Sequence, residues 1–152
     1  MQQVPLSRAR LRPDFQVFTE ISIIAHLANA RLERTLPEGM SSAQFGVLNH
    51  FARRGGDETP AQLASAFQVT KGAMTHTLQL LERKGFVTIA PHGADGRKKL
   101  VSITAEGVVA HGEATAALRP YLEQLREAFT DRDFESALPF LGALRGWLDE
   151  HR

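Results

Sequence analysis

Residues 59–104 read TPAQLASAFQVTKGAMTHTLQLLERKGFVTIAPHGADGRKKLVSIT. Thr59-Pro60-Ala61-Gln62 is a helix start. It has a hydroxyl to cap, a proline at the first helical position and a glutamine at the third to reach back to the cap. Leu63, Ala64 and Phe67 give this short helix an inner face. Thr70 caps a second helix, which runs to about Lys84 and is ended by Gly85. Ala73, Leu78 and Leu81 are expected to point inward, with Met74 or Thr77 near the edge. Thr70, Lys71, Gly72, Thr75, His76 and Gln79 then lie on or near the outer face. Phe86, Val87 and Ile89 begin a strand, and Leu100, Val101 and Ile103 return as its antiparallel partner. Between them HGADGRKK makes a basic tip that needs glycine to turn. Two helices with a tight link, then a hairpin, make a helix-turn-helix with a wing. Such a lobe offers one helix to a DNA major groove and a hairpin to the neighbouring backbone or minor groove.

On the N-terminal side, residues 1–13 carry three Arg and two Pro with little periodicity, as in an arm or irregular lead-in. From Phe15 to about Leu36, Phe18, Ile21, Ile24, Ala25, Ala28 and Leu32 recur at helical spacing. That helix ends before Pro37 and Gly39. Met40-Ser41-Ser42-Ala43-Gln44-Phe45 then starts the next one: Ser41 caps, Gln44 closes a capping box and Met40 staples onto Phe45. On the C-terminal side, Thr104 caps a helix to about Phe129 that Pro120 is expected to kink or divide. Thr130 with Asp133 is a further capping box. The helix it opens carries Phe134, Leu138, Leu141, Leu144, Trp147 and Leu148, with Pro139 disturbing its first turns. The expected fold class is mainly α with a small β-hairpin wing. Residues 1–152 form a single domain, with a winged lobe over 40–104. The two terminal helical regions, 14–37 and 105–150, carry more apolar surface than one small lobe covers, which points to a dimer region.

The charge distribution supports the same assignment. Net charge is only +1, but Lys71 to Lys99 holds six Lys or Arg against two acids, whereas Glu106 to Glu150 holds nine acids against four Arg. The middle of the chain is suited to a polyanion. Cysteine is absent, which excludes disulfides, thiol redox sensing and thiolate metal sites. No apolar run reaches the length of a membrane span and no signal-peptide pattern opens the chain, so a cytoplasmic protein without membrane contact is expected. The histidines His26, His50, His76, His92, His111 and His151 include no HExxH and no ligand-spaced pair with an acid. There is no phosphate loop, dinucleotide fingerprint or nucleophile elbow. An enzyme, a bound metal and a cofactor are therefore not expected.

The outer face of the second helix has the chemistry of a nucleic-acid reader. Lys71 can reach a phosphate or a guanine edge, Gln79 can pair with an adenine edge, and Thr75 can bond a base or a phosphate. Gly72 lets a sugar-phosphate backbone approach without a side chain in the way. At the tip, Arg97 can enter a minor groove while Lys98 and Lys99 meet phosphates. Asp95 is expected to hold Arg97 in position. An exposed apolar patch on the Lys71–Lys84 helix would instead suit a winged-helix protein-interaction module without specific DNA binding.

The chain resembles the MarR family of winged helix-turn-helix transcription regulators. The resemblance is carried by Met40-Ser41-Ser42-Ala43-Gln44-Phe45-Gly46-Val47-Leu48, by Ala61-Gln62-Leu63-Ala64, and by Val69-Thr70-Lys71-Gly72-Ala73-Met74-Thr75. It continues through Leu80-Leu81-Glu82-Arg83-Lys84-Gly85-Phe86-Val87 and Asp95-Gly96-Arg97-Lys98-Lys99 to Ser102-Ile103-Thr104-Ala105-Glu106-Gly107. It implies a homodimer on double-stranded DNA, with the terminal helices interleaved, and a repressor acting on a palindromic operator. It also implies release by a small amphipathic effector in a cleft between the dimer region and the DNA-binding lobe. His26 and His50 would edge that cleft; otherwise they are half-buried histidines satisfied by backbone carbonyls. Two positions depart from the family pattern. Gly96 stands where another arginine often precedes the tip arginine, and His76 stands where many relatives place an arginine.

Overall fold

Every helix after the first begins at a serine or threonine whose hydroxyl accepts an amide N–H of the first turn. The computed structural model describes residues 12–94 and 96–151, and its elements follow these caps. They are α1 (Pro13–Thr35), α2 (Ser42–Arg54), α3 (Pro60–Phe67), α4 (Lys71–Arg83), β1 (Val87–His92), β2 (Lys98–Ile103), α5 (Ala105–Ala128) and α6 (Asp131–Glu150). Ser41 caps α2, Thr70 caps α4 and Thr104 caps α5. Thr59 with Gln62 and Thr130 with Asp133 form full capping boxes on α3 and α6. The Thr130 hydroxyl, and then its amide, hold the Asp133 carboxyl below its ordinary pKa. The arginine-bearing segment 1–11 and Asp95 lie outside the described residues.

The core fills the winged lobe and the first half of α5. Val47, Leu48 and Phe51 of α2 meet Leu63 of α3 and Met74, Leu78 and Leu81 of α4. Val87 and Val101 from the two strands, with Ala110, Ala114 and Leu118 of α5, complete the cluster. The hairpin is antiparallel, with Val87 opposite Ile103 and His92 opposite Lys98. Lys98 and Lys99 therefore stand on β2, one step behind the tip. A further bridge ties Glu58, between α2 and α3, to Val101 of β2.

Neither α1 nor α6 has a buried residue. Phe15, Phe18, Ile23, Ile24 and Leu27 of α1 are exposed, as are Phe134, Leu138, Phe140, Leu141, Trp147 and Leu148 of α6. This is the apolar excess the sequence indicates at both ends, left uncovered in the single chain. No helix among the described residues is long and apolar enough to cross a membrane.

Several expectations are corrected. Gln44 closes no capping box: its buried side chain accepts from Lys84 Nζ at 2.7 Å, and Lys84 also donates to the Gly39 carbonyl. A different amide at the start of α2 is served from outside the helix: Ser42 N donates to the Glu33 carboxylate of α1 at 2.9 Å. The Ser42 hydroxyl, then its amide, hold the Glu33 carboxyl below its ordinary pKa. Ala73 is exposed, and Met74 takes the buried position. Met74 lies four residues before Leu78 and seven before Leu81, so it shares their face of the helix and its side chain fills the core with theirs. Pro120 does not divide α5, and Pro139 lies inside a continuous α6. A proline costs its own N–H and crowds the carbonyl four residues earlier. Those carbonyls belong to Ala116 and Glu135, both exposed residues on the outside of their helices, where the loss of the bond costs less than in a core.

Candidate nucleic-acid interface

Met74, Leu78 and Leu81 face inward on α4, so the opposite side is fixed by the helical period. Gly72, His76, Gln79 and Arg83 form one stripe at that period, all exposed. Thr75 and Lys71 flank the stripe on one side and Ala73 on the other. Arg83 is a residue that sequence reasoning passes over; its spacing of four from Gln79 is the signal that finds it. Its Nε donates to the Gln79 carbonyl at 3.4 Å.

The N-terminus of α4 is the electropositive end of this face. Thr70 Oγ1 accepts from Ala73 N at 3.1 Å, and Met74 N donates to the Thr70 carbonyl. The first two amides, those of Lys71 and Gly72, have no intrahelical acceptor by helix geometry and can serve an anion. Lys71, as the first residue of the helix, adds a full positive charge at the same end. A Cβ at Gly72 would meet no atom within 4 Å, so packing within the chain does not require glycine there. α3 ends at Gln68, whose φ of 56° is left-handed and turns the chain sharply toward α4.

The wing follows α4 directly through Gly85 and Phe86. Arg97, Lys98 and Lys99 are exposed. Among the described residues, Lys71, Lys98 and Lys99 take part in no ion pair. Asp95, expected to steady Arg97, falls outside the described residues. Every other residue expected on the DNA face, namely Thr70, Lys71, Gly72, Thr75, His76, Gln79, Arg97, Lys98 and Lys99, is at the surface of one lobe. The exposed part of α4 carries no large apolar side chain, which disfavours a protein-docking surface there.

A cleft of about 920 Å³ opens between this lobe and the terminal helices. Phe18 and Ile21 of α1, His50 and Arg53 of α2, Phe67 of α3 and Arg145 of α6 are among its walls. At its edge Gln68 Nε2 donates to Asp149 Oδ1 at 3.2 Å, linking the turn before α4 to the end of α6. His50 is half-buried in this cleft, and its partner is a carboxylate: Nε2 stands 2.7 Å from Glu58 Oε1. The expected backbone carbonyl is not its acceptor. His26 is exposed on α1 and is not among the residues that line this cleft in the single chain. Among the described residues no cluster of His, Asp or Glu is arranged to hold a metal ion.

Comparison with known proteins agrees with this geometry. A model of the MarR family matches residues 38–98. The chain is 32% identical over 121 residues to the uncharacterized HTH-type transcriptional regulator YwoH of Bacillus subtilis, covering 80% of this chain and 85% of that protein. The transcriptional regulator BldR from Sulfolobus solfataricus superposes with a TM-score of 0.79 at 22% identity, over 90% of this chain and 97% of that one. A mutant MarR from E. coli, crystallised with operator DNA, superposes with a TM-score of 0.67 at 25% identity, over 86% and 96% of the two chains.

Proposed function

The chain belongs to the MarR family of DNA-binding transcription regulators, and on that premise we propose that it acts as a homodimer on a palindromic operator, as a repressor that a small amphipathic ligand releases. The observation that carries the reading is the exposed polar face of α4 joined to a cationic wing on one lobe. Lys71, Thr75, His76 and Gln79 enter the major groove. Lys71 and the first amides of α4 take a phosphate, and Gln79 reads a base edge. Arg97 enters the minor groove and Lys98 and Lys99 neutralise phosphates behind it.

Dimer formation covers the apolar faces of α1 and α6, in the regions 14–37 and 105–150. Two copies then place two lobes on one duplex, and the symmetry of the protein is mirrored in the operator. The cleft supports the effector reading by its size and walls. It lies within the range of about 300–1,000 Å³ typical of small-ligand sites, and it combines Phe18, Ile21 and Phe67 with the guanidinium groups of Arg53 and Arg145. A ligand with an apolar body and an anionic end fits those walls. Repression, rather than activation, rests on the habit of the family.

Titration of two variants against a duplex recovered by selection from genomic fragments tests the DNA face. Arg97→Ala should weaken operator binding by roughly ten- to a hundredfold. Lys71→Ala should weaken it and make the slope of log affinity against log salt shallower by roughly one unit for each phosphate no longer neutralised. Both side chains are exposed, so melting temperature should not change. Unchanged operator affinity in both variants would remove α4 and the wing from the interface.

A further inference from the structure

The link between α2 and α3 runs Gly55-Gly56-Asp57-Glu58. Gly55 and Gly56 both take positive φ, and nothing lies within 4 Å of where either Cβ would be. This part of the link carries little packing to hold it. Glu58, at its end, is anchored twice. Its backbone exchanges both hydrogen bonds with Val101: Val101 N donates to the Glu58 carbonyl at 2.8 Å, and Glu58 N donates to the Val101 carbonyl at 3.2 Å. Its side chain reaches His50 Nε2 at 2.7 Å. A carboxylate oxygen only accepts, so Nε2 carries the proton.

His50 is in turn fixed by its surroundings. Its ring lies 5.4 Å from that of Phe67 and 6.0 Å, edge on, from that of Phe51, and it forms part of the cleft wall. Val101 is fully buried in β2, the strand that also carries Lys98 and Lys99. One chain of contacts therefore runs from the cleft through His50 and Glu58 to the strand that carries the cationic wing. Wing strand β2 is otherwise paired only with β1 among the described strands.

We propose that Glu58, oriented by His50, is the residue that positions the wing on DNA, and that the cleft acts on the wing through this pair. Any molecule seated against His50 competes with, or redirects, the hydrogen bond that orients Glu58. The pair is a positioning device: neither side chain touches DNA. The inference rests on the DNA-binding reading above.

The test uses full-length protein and the duplex recovered by selection. His50→Phe keeps a ring against Phe51 and Phe67 and removes the donor. Glu58→Ala removes the acceptor, and Glu58→Gln keeps one. His50→Phe and Glu58→Ala should make the salt slope shallower by about 0.9 for each phosphate the wing no longer neutralises, and should speed hydrogen exchange at the Val101 amide. Glu58→Gln should recover most of the slope. In a Lys98→Ala, Lys99→Ala background, His50→Phe should produce little further change. A residue that merely supports the fold would lower the melting temperature and leave the slope alone. His50→Phe with the wild-type slope and wild-type exchange at Val101 would overturn the proposal, as would full additivity with the lysine substitutions. Should Glu58→Ala fail to fold, His50→Phe decides the question. Wild-type protein with no preference for the selected duplex would instead defeat the DNA-binding reading itself.

Discussion

Gly107→Ala is expected to destabilise the protein by about 3 kcal/mol or more, the upper end for overpacking a close contact. Gly107 is in the first turn of α5, and its N–H donates to Thr104 Oγ1 at 3.0 Å. A Cβ there would stand 2.1 Å from the Phe86 carbonyl oxygen and 2.8 Å from Ile103 Cγ1. The first of these atoms is backbone and is already committed, since it accepts from Thr104 N at 3.0 Å. Thr104 Oγ1 also donates to the Gly85 carbonyl at 2.6 Å, so helix start, strand start and the end of α4 are clamped together. An added methyl must break the clamp, tilting α5 away from the lobe. Thermal melting should show a fall of roughly 10 °C, at a few degrees per kcal/mol for a chain of this size. Gly112→Ala, where nothing lies within 4 Å, is the control and should be neutral or stabilising. A Gly107→Ala protein that melts with the wild type would show that the junction yields without cost.

Truncation after Asp131 should have the second large effect. It removes Phe134, Leu138, Phe140, Leu141, Trp147 and Leu148, which are exposed in the single chain. Each such side chain is worth roughly 1.5–3 kcal/mol when fully covered, so α6 is a large share of what two copies can bury. Sedimentation should report loss of the dimer, with aggregation through the exposed faces that remain. Any soluble fraction should bind the operator with about half the wild-type salt slope, because one lobe replaces two. Leu138→Arg tests the same surface without shortening the chain. Leu138 is 63% exposed, so its replacement should leave the lobe folded while weakening association. A soluble truncated protein that stays dimeric and binds the full operator at native affinity would move the dimer contact to α1 alone.

The elements legible in the sequence are those set by local chemistry. Thr59 with Gln62, Thr70, Thr104, and Thr130 with Asp133 mark helix starts because a hydroxyl satisfies an amide that the helix leaves open. Alternation of Val87 and Ile89 against Val101 and Ile103 marks the hairpin because those side chains share one inward side. The features that local sequence hides depend on partners far along the chain. Gln44 has the spacing of a capping box, but Lys84 draws its side chain into the core. By contrast, helical phase does separate Ala73 from Met74: Met74 stands four residues before Leu78 and seven before Leu81, on their face, so its inward position is legible and only the apolar character of Ala73 suggests otherwise. Glu58 forms a single-residue bridge, too short to leave any periodicity, and its carboxylate meets His50 only after folding. Gly107 shows only as a glycine in a helical first turn; the carbonyl it accommodates belongs to Phe86, at the start of the hairpin. The exposed face of α4 is legible because helical phase alone places it. The position of His26 is not, because exposure on α1 depends on what that helix packs against.

The most direct measurement is selection of bound fragments from genomic DNA by the purified protein, followed by titration across salt of the selected duplex and a shuffled one. The expected result is a recovered palindrome, bound about a thousandfold or more tighter than the shuffled duplex, with log affinity falling linearly in log salt by about 0.9 per phosphate contact. No enrichment over random DNA at low salt, or equal affinity for the two duplexes, would contradict a sequence-specific DNA-binding role.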